Sequence, residues 1–201
     1  MPESLGHTAP LLDLLAHPAT PGVAVRRISA LAERIGAETL RFKYLLQSDP
    51  KAVRIPPAVA GAGKADRLWA HTCFEAFVRQ DESPGYMELN FSPSGQWAAY
   101  GFESYRQGMA PARLSTAPRV ELRQRDCGLE LEAVVALSGW LLPGSRAGAR
   151  PDARRLRLGL STVVEDQDGG LSYWALRHPP GRPDFHHPES FPLTLELPGP
   201  A

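Results

Sequence analysis

Apolar and polar residues along this chain alternate with a period of two rather than three or four. Between Thr39 and Leu46, Leu40, Phe42 and Tyr44 alternate with Arg41 and Lys43. From Thr72 to Arg79, one parity holds Phe74, Ala76 and Val78, the other Cys73, Glu75, Phe77 and Arg79. From Gly85 to Ser92, Met87, Leu89 and Phe91 share one face, and Tyr86, Glu88 and Asn90 the other. Such alternation marks strands, whose side chains point to opposite faces in turn. Further strands are predicted at Val23 to Ser29, Gln96 to Glu103, Arg119 to Arg125, Leu129 to Leu137, Arg155 to Glu165, Ser172 to Leu176 and Phe191 to Leu197. Asp126-Cys127-Gly128 and Asp166-Gln167-Asp168-Gly169-Gly170 have hairpin-turn composition. Ser104 to Met109 and Leu137 to Leu142 read as short helices, and Leu11 to Ala16 as a helical turn or two.

Each predicted strand has one apolar face. About ten such strands imply an all-β fold, a two-sheet antiparallel β-sandwich of the immunoglobulin or jelly-roll kind, with one or two short helices. The 20 prolines and 18 glycines punctuate the chain at short intervals, which favours strands and turns over long helices. One domain is expected over residues 22–197, between an N-terminal tail (1–21) and a C-terminal tail (198–201). The outer faces carry both signs of charge, placed for cross-strand pairing.

Composition narrows the function classes. Hydrophobic residues make up 43% of the chain, enough for a core. Basic and acidic side chains balance at 22 each, so no long-range field attracts nucleic acid or anionic lipid. No apolar run approaches the roughly 20 residues of a membrane span. The N-terminus lacks a charged start followed by an apolar stretch, so no secretory signal is expected. Cys73 and Cys127 sit in apolar contexts and read as reduced thiols. A cytoplasmic chain with neither nucleic-acid nor membrane partner is expected.

Enzyme signatures fail one by one. Ala58 to Ala65 has the outline of a phosphate-binding loop, but it lacks the first glycine, and Ala65 replaces the magnesium-holding hydroxyl. There is no Gly-x-Ser-x-Gly elbow, no His-Glu-x-x-His and no Cys-x-x-Cys. His178, His186 and His187 with Asp184 bracket a proline-rich loop. They suit a metal or, better, loop hydrogen bonds. Asp166 and Asp168 suit a turn better than calcium. Glu75, Glu88, Glu130 and Glu132 are carboxylates of the type glycoside hydrolysis uses, but such groups on an outer strand face are usually solvated or paired. No catalytic residue and no cofactor are expected.

The segment Asp66-Arg67-Leu68-Trp69-Ala70-His71-Thr72-Cys73-Phe74-Glu75-Ala76-Phe77-Val78 is followed by Tyr86-Met87-Glu88-Leu89-Asn90-Phe91-Ser92-Pro93-Ser94-Gly95-Gln96-Trp97. Later come Ser172-Tyr173-Trp174-Ala175-Leu176 and Pro183-Asp184-Phe185-His186. Together they resemble the DOMON-like superfamily, in the branch similar to family-9 carbohydrate-binding modules, and bacterial single-domain members above all. The resemblance spans about Leu68 to Leu197. It implies a β-sandwich that binds a small carbohydrate-like ligand on a concave sheet face or in the adjoining loops. By position, Trp69 and Trp174 would stack on a sugar ring, and Glu75, Glu88, Asn90 and Arg106 would contact hydroxyls.

Each assignment has a structural alternative. Trp69 could plug the end of a sandwich. Trp174 shares parity with Leu176 and could pack in the core, as could Trp97 and Trp140. Glu75 and Arg106 could form an ion pair. Glu88 and Asn90 share a face and could serve a neighbouring strand instead of a ligand. Two further functions stay open: a protein-interaction domain with a degenerate site, and b-type haem binding, as in other DOMON relatives, through Met87, Met109 or His71.

Overall fold

The computed structural model describes residues 9–49, 51–81, 83–138 and 153–198. Trp140 and most of the helix expected from Leu137 to Leu142 lie outside them. The regular structure of the described chain is nearly all strand: β1 (Leu12–Ala16), β2 (Val25–Arg34), β3 (Thr39–Ser48), β4 (Cys73–Gln80), β5 (Tyr86–Phe91), β6 (Trp97–Phe102), β7 (Ala110–Pro111), β8 (Arg119–Arg125), β9 (Gly128–Ala136), β10 (Ala153–Glu165), β11 (Leu171–Ala175) and β12 (Leu193–Pro198). Two single-turn 3-10 helices, Leu68–Ala70 and Pro188–Ser190, interrupt it.

These strands pair antiparallel in the order β7-β6-β5-β4-β10-β11-β1-β2-β3-β9-β8. The long β10 is the hub. It pairs with β4 along one edge, and along the other with β12 and β11 end to end. The expected all-β, antiparallel class is found. The two halves are continuous, because β1 pairs with β2 through Leu12–Leu14 and with β11 through Leu15 and Ala16, so the sheet curls back on itself.

Two segments differ from their sequence reading. Leu12–Ala16 is the joining strand rather than a helical turn. Its leucine-rich run fits either period, and pairing with two neighbours decides it. Ser104 to Met109 is a tight turn, with Arg106 at φ 55° and Gly108 at φ 67°, values that a helix does not accommodate.

Alternation places the core. Leu40, Phe42, Tyr44 and Leu46 of β3 are buried against Phe74, Ala76 and Val78 of β4 and Met87, Leu89 and Phe91 of β5. The Phe42 and Phe91 rings lie 5.9 Å apart, and Tyr44 and Phe74 5.1 Å. The Tyr44 hydroxyl crosses the core and donates to the Glu75 carbonyl at 2.7 Å. This bond pins the two halves together and leaves no orphaned phenol in an apolar interior.

The opposite face of β4, β5 and β6 is not a solvated outer face. Phe77, Tyr86, Tyr100, Phe102 and Val163 form a second apolar cluster there, covered by Phe185 and Phe191 from the β11–β12 connection. Every residue of β5 is buried as a result. Gly159 makes the cover fit: a Cβ there would stand 2.6 Å from both the Phe191 ring and the Ser190 carbonyl.

Candidate ligand-binding site

Between the second face and its covering loops lies a cavity of about 370 Å³. The 3-10 turn Leu68–Ala70 brings Trp69 to one wall, where its ring meets Tyr100 edge-on at 5.5 Å. Tyr100 is held in turn by donating to Asp66 at 2.8 Å. Phe102, Tyr173 and Phe185 supply further aromatic surface. Tyr173 and Phe185 touch edge to face at 5.9 Å.

The polar groups come from the floor and one rim. Glu75 on β4 and Glu88 on β5 sit on adjacent strands, where Glu75 pairs in register with Asn90 and Glu88 with Phe77. Both carboxyls line the cavity although the residues are only 3% and 5% exposed. Asn90 Nδ2 donates to Glu88 Oε1 at 2.7 Å, from a position fully buried beneath the cavity. The Glu75 carboxyl makes no hydrogen bond or ion pair with any described residue.

The rim is a relay built around Tyr86. The Arg106 backbone N–H donates to the Tyr86 hydroxyl at 3.2 Å, and that hydroxyl lies 2.8 Å from His186 Nδ1. The other ring nitrogen, His186 Nε2, lies 3.7 Å from Glu88 Oε2. The Arg106 guanidinium donates to Asp184 at 2.8 Å, and Tyr105 donates to the other Asp184 oxygen. Arg106 therefore pairs with Asp184 and not with Glu75.

Burial sets the electrostatics. Desolvation, and then repulsion from Glu88, push the Glu75 carboxyl well above the usual carboxylate range. Glu88 is raised by desolvation, against the opposing pull of Asn90 and Arg106. Desolvation and the neighbouring Arg106 charge lower His186 to about 4, so its ring is neutral at pH 7. Asp184 is lowered despite its desolvation, because Tyr105 and Arg106 both donate to it.

Two left-handed non-glycine residues flank the cavity, Arg67 at φ 57° before the Trp69 turn and Arg106 at φ 55°. Such conformations cost about 1–3 kcal/mol each and persist where the surroundings fix them.

Four of the six sequence-derived candidates meet here: Trp69, Glu75, Glu88 and Arg106. Asn90 lies one layer below and acts through Glu88. Trp174 does not line the cavity. It packs in the main core, its indole N–H donating to Ser172 Oγ at 3.0 Å, and its neighbour Tyr173 takes the cavity wall. Parity with Leu176, which also packs against the main core, is the sequence signal for that face.

Sequence reasoning also missed Phe102, Phe185 and His186 as lining residues. Phe102 ends β6, and Phe185 and His186 are brought in by a loop whose course no periodicity encodes. Of the loop histidines, His178 contacts the Leu15 carbonyl at 2.8 Å and His187 accepts from the Glu189 N–H at 3.2 Å. Asp166 accepts from the N–H groups of Asp168 and Gly170, a turn role. Met87 is wholly buried in the main core, Met109 lines the cavity, and His71 pairs with Glu165 at 2.7 Å away from it. Among the described residues no cluster of three or more His, Cys, Asp or Glu could hold a metal, and no helix is long and apolar enough to cross a membrane.

No protein-family model and no curated protein matches the chain. Solved structures do match its fold. A candidate carbohydrate-binding protein from Bacteroides uniformis superposes with a TM-score of 0.66 at 17% identity, over 94% of this chain and 86% of that one. A family-9 carbohydrate-binding module from Caldicellulosiruptor kristjanssonii, in complex with glucose, gives 0.56 at 11% identity, over 100% and 90% of the two chains. The same organism's family-9 module with cellotriose gives 0.51 at 11% identity, over 96% and 84%. At these identities the likeness establishes the fold.

Proposed function

We propose that this protein is a non-catalytic binding module for a small carbohydrate or sugar derivative, held in the cavity between Trp69 and Tyr173. The carrying observation is the composition of that cavity: aromatic walls around two buried carboxyls, of which Glu75 has no hydrogen-bond or ion-pair partner among the described residues. A sugar ring offers C–H groups to an aromatic face and hydroxyls at its edge, so it needs both kinds of surface at once. The volume is at the small end of ligand pockets, which start at about 300 Å³, and suits one or two rings better than a polymer. The sugars in the two family-9 complexes support the same class of ligand.

In this reading Trp69 and Tyr173 stack on the ring, Glu75, Glu88 and Arg106 meet polar groups, and Asn90 orients Glu88. The curled sheet then works as a two-layer sandwich with its site on the loop-covered face, as in the DOMON-like branch near family-9 modules. The thiols Cys73 and Cys127 are both free, which supports a cytoplasmic setting for the domain, where they would stay reduced.

The test is a thermal-shift screen with mono- and disaccharides, sugar phosphates and nucleotide sugars. A ligand at 100 times its Kd adds about 2.7 kcal/mol. For a chain of this size that raises Tm by about 5–10 °C. Trp69→Ala should abolish the rise. No shift with any sugar at millimolar concentration contradicts the proposal.

A further inference from the structure

The cavity holds more acid than a neutral sugar needs. Glu75 and Glu88 both face it from adjacent strands, almost wholly buried. Arg106, the cation among its lining residues, is already neutralised by Asp184 at 2.8 Å. Around the Glu75 carboxyl, β4 offers the Cys73 thiol and β5 offers Glu88, Asn90 and Tyr86. From behind, β3 offers the Tyr44 phenol, and burial pushes both Cys73 and Tyr44 well up and keeps them neutral. On β6, Tyr100 is bound to Asp66, and on β10 Ser161 sits opposite Glu75 in register. On β11 Tyr173 faces the cavity. His186 from the covering loop is neutral at pH 7. Arg79, on the same parity of β4, is turned onto the Phe191 ring, 5.7 Å from its centroid.

We infer that the ligand is an amino sugar, whose ammonium group sits between Glu75 and Glu88 while its ring lies against Trp69. This deepens the carbohydrate reading and rests on it. A neutral hydroxyl brings no charge to compensate an ionised carboxyl in a desolvated site, so the pair keeps its protons and gains only neutral hydrogen bonds. An ammonium brings three donors and the opposite charge. Its hydrogen bonds to carboxylates are about twice as strong as neutral ones. The aromatic walls also favour a cation over their faces. Without the ligand, desolvation favours the protonated form of both carboxyls, most strongly at Glu75, which also feels repulsion from Glu88. Binding the ammonium favours ionisation of one carboxyl of the pair, so the ligand displaces a proton into solvent, and affinity rises with pH until the amine itself deprotonates.

The experiment is isothermal titration calorimetry with D-glucosamine, D-glucose and N-acetyl-D-glucosamine at pH 6.5, each in two buffers of different ionisation enthalpy. The expected result is glucosamine binding at least about tenfold tighter than glucose, as charge-assisted bonds imply. N-acetylglucosamine, which keeps the ring and loses the charge, should show no such advantage. Proton release should accompany glucosamine and not glucose. In Glu75→Gln, with a cooperative melting transition no lower than that of the wild type as the folding control, the glucosamine-to-glucose affinity ratio should fall towards one. Glucose or N-acetylglucosamine binding as tightly as glucosamine overturns the inference and leaves the carbohydrate module standing. No binding of any of the three overturns the inference, and the thermal-shift screen then decides the carbohydrate reading separately.

Discussion

Replacing Glu75 by glutamine should stabilise the free protein, and by an amount that grows with pH. In the folded chain the carboxyl is held protonated by desolvation and by Glu88, whereas in the unfolded chain it ionises near its ordinary value of 4.5. Between those two points the native state binds more protons than the unfolded state. Wild-type stability therefore falls as pH rises through that window, by up to about 1.4 kcal/mol per pH unit for one proton. His186 acts with the opposite sign: held at about 4 instead of 6.5, it makes stability rise over that interval. Glu88 adds to the first slope and His178 to the second, so opposing contributions overlap in the wild type above about pH 4.5 and mask one another in a simple pH scan. The difference between Glu75→Gln and wild type removes His186 and Asp184, which are common to both, and reports the Glu75–Glu88 pair. Urea unfolding at half-unit steps from pH 4.5 to 8.5 measures it. The variant should gain on the wild type steadily above pH 4.5 and then level off. A gap that does not change with pH, or one in which the wild type gains, refutes the placement of this carboxyl in a desolvated site.

Other substitutions separate packing from binding. Gly159→Ala should cost about 1–3 kcal/mol in urea unfolding, because its Cβ meets Phe191 and Ser190 at 2.6 Å; an unaffected midpoint would show that the covering segment gives way freely. Trp174→Ala should cost about 3–5 kcal/mol while the folded fraction keeps its ligand affinity, the reverse of Trp69→Ala, and loss of binding with full stability would put Trp174 in the site. NMR titration of the histidine rings should find His186 changing charge at about pH 4, and a midpoint near 6.5 would contradict its burial beside Arg106.

Much of the fold was legible because alternation is a local signal. Leu40, Phe42 and Tyr44 declared the buried face of β3, and Met87, Leu89 and Phe91 that of β5. The hairpin turns at Asp126 and Asp166 fixed where neighbouring strands reverse. What alternation does not report is what lies above the second face. Glu75, Glu88 and Asn90 read as solvent-facing until Trp69 and the loop carrying Asp184 to Phe191 are laid over them, a long-range event. Trp174 and Tyr173 show the competition between two signals: a tryptophan at a strand end is a good stacking candidate by type, but its parity with Leu176 marks the core face, and the pairing of β11 with β10 puts Tyr173 on the other. The joining strand β1 was missed because five leucine-rich residues carry too little periodicity to choose a class.

The central claim is that the loop-covered cavity of β4 and β5 is where a sugar binds. The most direct test is a 1H–15N NMR titration of the labelled protein with the sugar that gives the largest melting shift. The account predicts perturbations centred on the Trp69 indole and the Arg106, Tyr173 and His186 amides, with the Trp174 indole N–H unmoved. Perturbations confined to the β8 edge or to the main-core side of the sheet would contradict it.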